Sequence, residues 1–260
     1  MSERKLVMHD TDLCYLYDGS LAGFYTCVHE AVYQKELPLS VCIHGHQPLL
    51  LEKHIATDAK KALSVRNAIH QRISPRALEL TEGVFLTPLA EKEKQTLLFL
   101  RLGFEMRCDI TRMLAHPLVS ALLAAEKHLL GECHLLKGFV RFADYEGNLF
   151  ATIRPKNFVL PLLTAHFTQR YPEENFMIYD ATHQAALLYE HGRAQILPME
   201  KPLGLSLSEE ERLYQALWKQ FYHTLSIEER ENLACRQSHM PKRYWSEMLE
   251  VQEETTGYPR

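Results

Sequence analysis

The sequence predicts an α+β fold: a central antiparallel sheet built from hairpins, with helices before, within and after it. Three observations carry that expectation. Apolar residues recur at helical spacing through the first half of the chain. Short alternating stretches joined by tight turns fill residues 138–200. A Pro/Gly break, "MEKPLGL", then precedes a helical tail marked by two capping boxes, Ser208 with Glu211 and Ser226 with Glu229. The organisation expected is one α+β domain over residues 1–260, with 1–137 mostly helical with short strands, 138–200 forming a hairpin–helix–hairpin sheet, and 201–260 helical.

Taken in order, "CYLYDGS" reads as a strand ending in a turn or helix start. In "LAGFYTCVHEAVY", Phe24, Val28 and Ala31 or Val32 follow at helical spacing. "QPLLLEKHIA" fits a short strand. "TDAKKALSVRNAIHQRI" is a helix capped by Thr57 or Asp58, with Ala62, Val65, Ile69 and Ile73 as its apolar stripe. Two prolines and a glycine between Ser74 and Pro88 predict a connection before the helix "LAEKEKQTLLFLRLGFEM". A long helix is expected from Pro117 to Lys137, with Gly138 as its stop. "FVRFAD" and "LFATIRP", separated by "YEGN", predict a hairpin, and "NFVLPLLTAHFTQRYP", "FMIYDATHQAALLYE" and "RAQILPM" a second helix and hairpin. Short strands joined by tight turns favour antiparallel pairing. A last helix is expected near Pro241, in "MPKRYWSEML".

Composition narrows the function. The 260 residues are 46% hydrophobic, enough for one large domain or two small ones, and carry a formal charge of −4. No whole-molecule basic field draws this chain to nucleic acid or to an anionic membrane, so such binding would need a local patch. The six cysteines are scattered, without a C-x-x-C pair or a cluster-binding run, and read as reduced thiols of a cytoplasmic protein. The first residues, "MSERKLVMHDTD", lack a signal-peptide core, and the longest apolar run, Pro117 to Ala125, is too short to span a bilayer, so no membrane association is expected.

A period of two in the 137–158 stretch places Val140 and Phe142 on one face, with Phe139 and Arg141 on the other, beside Phe150 and Arg154. Lys137 and Lys156 flank that face. Two aromatic rings among four cations suit single-stranded nucleic acid, the rings stacking on bases and the cations holding phosphates. The competing expectation is that helices cover the face, leaving the phenylalanines as core and the arginines paired with Asp144, Glu146 or Asp180. "KGFVRF" departs from the RNA-recognition consensus by two residues and does not support that motif.

A second set could do acid–base or phosphate chemistry if it converged: Glu132, His134, His166, Arg170 and Asp180. A buried polar network is the competing reading. Glu126, His128, Glu132, Cys133 and His134 crowd one helix end, but only two share metal-ligand spacing, and "HGH" at His44–His46 is weaker, so no metal and no cofactor are expected.

The blocks "YLYDGSLAGF", "GECHLLKGFVRF", "LTAHFTQRYP", "MIYDATH", "LWKQFY", "IEERENL" and "MPKRYWSEMLE" occur in order from Tyr15 to Glu250. Together they resemble a bacterial family of DNA-metabolism proteins of undefined activity, encoded beside a radical-SAM protein of the DNA-repair-linked type. Some members are fused to a uracil-DNA-glycosylase-like domain. The resemblance marks Asp18, Gly19, Ser20, Glu132, His134, Phe139, Arg141, His166, Arg170, Asp180, Trp218, Tyr244 and Trp245 among its positions and implies a catalytic role for none of them. It implies an accessory protein of DNA modification or repair, in the stand-alone form, with a radical-SAM partner and DNA, possibly single-stranded, as its associates. Two other readings stand beside it: a free-standing enzyme on a nucleotide-like or phosphorylated substrate using the Glu/His/Arg/Asp set, and a partner-binding scaffold without catalysis.

Overall fold

The computed structural model describes residues 8–43, 51–201, 208–225 and 232–251. The class is α+β, as expected. The chain gathers into two compact units, Met1–Leu129 and Leu130–Arg260.

In the first unit, strand β1 (His9–Tyr17) lies between β2 (Glu36–Ile43) and β3 (Leu51–His54) and is parallel to both. Helix α1 (Leu21–Gln34) makes the crossover from β1 to β2, the kind of connection a parallel pair requires. Cys14 through Tyr17 are buried without alternation, as a strand covered on both faces should be. Asp18, Gly19 and Ser20 turn the chain into α1: Gly19 takes φ +83°, and Ser20 Oγ accepts the Gly23 N–H at 2.9 Å. Asp18 binds both the Ser20 amide and the Thr57 hydroxyl.

Helix α2 (Ala59–Arg72) is capped by Asp58 and buries Ala62, Val65 and Ile69. The predicted connection after it is instead a helix, α3 (Pro75–Phe85). Pro75 occupies a first-turn position where it lacks only an N–H that has no helical partner, and Ser74 caps the Ala77 amide, so this proline starts structure where it was read as breaking it. Helix α4 (Lys92–Met106) follows, and α5 (Pro117–Phe139) begins in this unit.

The second unit holds a five-stranded sheet in sequential order: β4 (Ala143–Tyr145), β5 (Asn148–Ile153), β6 (Phe176–Asp180), β7 (Ala185–Glu190) and β8 (Arg193–Pro198). Three pairs are antiparallel, as the hairpin reading expects. The turns Glu146–Gly147 and His191–Gly192 each place two successive residues at positive φ, the geometry favoured in two-residue hairpins. The pair β5–β6 is parallel, because helix α6 (Leu160–Arg170) returns the chain to the starting end, so this sheet is mixed and not wholly antiparallel. Leu160, Leu163 and Phe167 of α6 are buried; Phe167 packs on Phe176, and Phe176 on Tyr189 of β7.

Two boundaries differ from the sequence reading. Helix α5 runs through Gly138 to Phe139, with the Val140 amide still donating to the Leu136 carbonyl, so "FVRF" is helix end and irregular chain, and β4 starts only at Ala143. Helices α7 (Glu209–Leu225) and α8 (Leu233–His239) come next, and the segment after Pro241 is a 3-10 helix, Lys242–Glu247. Of the two capping boxes, Ser208 does accept the Glu211 amide at 3.0 Å, while Ser226–Glu229 and His44–His46 lie outside the described residues. Among the described residues, no helix is long and apolar enough to cross a membrane.

Candidate functional site

The predicted polar set lies within the second unit, but its members go to separate places. Glu132 points inward from α5 and is 3% exposed. The backbone N–H groups of Lys156 and Asn157 donate to its carboxylate at 2.7–3.1 Å, the Asn157 side-chain amide at 2.6 Å, and the Tyr244 hydroxyl at 3.0 Å. The Arg243 guanidinium stands 2.8 Å away and also bonds the Tyr244 hydroxyl. Burial pushes the Glu132 pKa up, but the Lys156 and Asn157 donors outweigh it and hold the carboxylate below its ordinary range. All of its acceptor capacity is consumed by the turn after β5 and the C-terminal 3-10 helix.

Asp180 ends β6 and is fully buried. One carboxylate oxygen accepts the Thr182 and His183 amides at 3.0 and 3.1 Å; the other lies 2.6 Å from His183 Nδ1. The imidazole, partly open to solvent, stands edge-on to Phe158, its neighbour in chain being the Asn157 that binds Glu132. A carboxylate at Nδ1 fixes the ring orientation and leaves Nε2 as the nitrogen not engaged by Asp180, an arrangement that can make a histidine an oriented proton acceptor. Sequence reasoning marked Asp180 and missed His183; the signal was a "DATH" turn directly after a strand, where an aspartate binds amides two and three residues on.

His134 is exposed on α5. His166 is half-buried on α6, with its Nε2 buried and without a hydrogen-bond partner. Burial lowers its pKa, and the Lys137 and Arg170 charges add to the effect, so the ring is neutral at pH 7. Arg170 lies over the Tyr171 ring and donates to its hydroxyl at 3.3 Å. Among the described residues, no hydrogen bond or ion pair joins any two of Glu132, His134, His166, Arg170 and Asp180, and no group of three His, Cys, Asp or Glu side chains is placed to hold a metal.

The aromatic and cationic face is neither fully open nor fully covered. Phe150 and Thr152 share one face of β5, opposite the buried Ala151 and Ile153, as the alternation predicts, and Arg154 directly follows the strand. Phe139 packs at 5.7 Å on Tyr244 of the 3-10 helix, and Arg154 pairs with Glu247 of the same segment. Arg141 donates to Glu211 of α7 at 3.3 Å, and that buried carboxylate also takes the Asp144 amide and the Gln215 side chain. Arg141 and Arg154 are thus paired, but with Glu211 and Glu247 and not with Asp144, Glu146 or Asp180. Lys156 remains exposed and Lys137 half-buried.

Beside this face lies a cleft of about 360 Å³, walled by Phe139, Phe142, Tyr171 and Trp218, with Arg141 and Glu250 at its polar edge. The Trp218 indole N–H donates to Glu250 at 3.3 Å. Phe142 is held edge-on by Phe167, Tyr171 and Phe176, so its ring is fixed in place. The size suits one nucleotide-scale ligand, and the polar groups of Arg141 and Glu250 could read its edge.

The model of a family described as a domain of unknown function, DUF4130, matches residues 90–250, more than half of the sequence; the chain belongs to that family. No curated protein matches the chain.

Proposed function

We propose that this DUF4130 protein is an accessory subunit of DNA modification or repair that binds single-stranded nucleic acid and works with a radical-SAM partner. The observation that carries the reading is the aromatic cleft: four rings, Phe139, Phe142, Tyr171 and Trp218, with a positioned guanidinium and carboxylate, in a volume that admits one unstacked base. Exposed Lys156 and half-exposed Arg154 lie on the adjoining turn, where a sugar–phosphate backbone would run. The partner and the DNA context rest on the family resemblance. The exposed apolar face of α7, with Leu213, Tyr214, Leu217 and Phe221, supports a protein partner.

The test is fluorescence anisotropy with a labelled single-stranded oligonucleotide, beside co-purification with the radical-SAM protein. Replacing Trp218 or Tyr171 by Ala should weaken binding by roughly 5- to 100-fold, the loss of one base stack. Wild-type affinity in both variants would overturn the cleft as the binding site.

A second reading, a free-standing enzyme on a nucleotide-like or phosphorylated substrate, is favoured by the Asp180–His183 pair, an oriented imidazole that a purely structural turn does not need. It predicts a turnover that His183→Gln abolishes while oligonucleotide affinity stays unchanged.

A further inference from the structure

The first unit contains a groove of about 1140 Å³, largely formed by residues outside the family match and unrelated to the cleft above. Helices α1 and α2 pack side by side, and the end of α4 closes the third wall. Val28, Val32, Val65 and Phe104 line its apolar part.

Two arginines, Arg72 and Arg107, are among the lining residues. One close contact brings the ends of α2 and α4 together. Gly103 of α4 lets Ile73 approach so tightly that a Cβ there would lie 2.6 Å from Ile73 Cδ1. Ile73 directly follows Arg72, and the Gly103 carbonyl accepts the Arg107 amide at 2.8 Å, so the contact joins the chain segments that carry the two arginines. Each closes a helix C-terminus, α2 and α4, whose partial negative charge favours a guanidinium there. Among the described residues, neither has an ion-pair partner, whereas Glu105, the groove's carboxylate, is taken by Arg101.

The groove also contains a stacking surface. Tyr33 is 74% exposed, and its ring lies nearly parallel to that of His29, one turn away on α1, at 6.0 Å and 15°. The His29 Nδ1 is buried and lies 3.6 Å from the Glu30 carboxylate. An apolar floor, a flat aromatic plate and two uncompensated guanidiniums together match a ligand with a planar ring and a phosphate.

We propose that this groove binds a nucleoside phosphate, its phosphate held between Arg72 and Arg107 and its base stacked on Tyr33. This inference goes beyond the nucleic-acid reading and is independent of it, since none of its residues lines the aromatic cleft.

Isothermal titration of the full chain with ADP, with inorganic phosphate and with a short Asp/Glu peptide tests it. ADP should bind. Arg72→Ala/Arg107→Ala should weaken it at least about tenfold, as expected for lost charge-assisted hydrogen bonds. Tyr33→Ala should weaken ADP by roughly tenfold and leave phosphate untouched. Ala68→Phe, which fills the groove without removing a charge, should abolish ADP binding while the thermal melt stays cooperative. No ADP binding at millimolar concentration, wild-type affinity in the arginine variant, or tighter binding of the acidic peptide than of ADP would each overturn the proposal.

Discussion

Two buried carboxylates of the second unit, Glu132 and Asp180, show how the same functional group takes opposite roles. Glu132, carried by α5, is surrounded by donors from two distant parts of the chain: the turn after β5 supplies two amides and an asparagine, and the C-terminal 3-10 helix supplies Tyr244 and Arg243. Nothing is left over, so its chemistry is spent on tying these parts together. Asp180 uses local donors only, within three residues of itself, and its second oxygen goes to an imidazole that is partly open to solvent. One carboxylate ties distant segments together; the other fixes a nearby imidazole. What separates them is the sequence distance of their donors, and not burial, since both are essentially inaccessible.

The largest effect expected is at Glu132. Replacement by Ala leaves the Asn157 amide, the Tyr244 hydroxyl and two backbone N–H groups unsatisfied and should cost about 3–5 kcal/mol in urea unfolding. The depressed pKa adds a pH signature. The carboxylate's stabilisation is present above the unfolded-state value of about 4.3 and is lost as pH falls through the lower folded-state value, so Glu132→Gln should flatten the acid limb of a stability–pH curve. An unchanged acid limb would remove Glu132 from its place in the comparison.

Phe139→Ala probes the same tie from the apolar side, since Phe139 rests on Tyr244. A half-buried ring should cost about 2 kcal/mol in a thermal melt, below the roughly 3–5 of a fully buried phenylalanine. Asp180→Ala should cost about 1–2 kcal/mol, because the three donors it releases are near solvent at the turn. A loss equal to that of Glu132 would make both carboxylates structural and sink the contrast. Arg154→Ala breaks a surface ion pair with Glu247 and should change stability by roughly 0–1 kcal/mol, while reducing the salt dependence of oligonucleotide binding if Arg154 meets a phosphate.

Local signals were legible in the sequence where the physics is local. Asp58 and Ser208 cap the helices they precede, the stripe Ala62, Val65 and Ile69 is buried, and β5 alternates as read. Pro75 was misread because a proline is equally consistent with a break and with a first helical residue; the capping Ser74 before it was the signal that decides. Phe139 to Phe142 were assigned to a strand on period alone, whereas their rings are divided between Tyr244 and the Phe167–Phe176 cluster, far along the chain. Strand β2 escaped notice because it pairs in parallel across a helix, a relation that leaves no turn signature.

The sequence by itself determined the α+β class, most helix starts, the hairpin turns with their glycines, and which faces of α2 and β5 are apolar. These follow from dihedral preferences and side-chain period, which act within a few residues. Only the tertiary structure decided that Glu132 meets Tyr244 across 112 residues, that Arg141 meets Glu211 across 70, and that the parallel pair β5–β6 interrupts the hairpins. Such pairings are set by which buried charge finds donors when the core closes, a condition on the whole unit that no local pattern encodes.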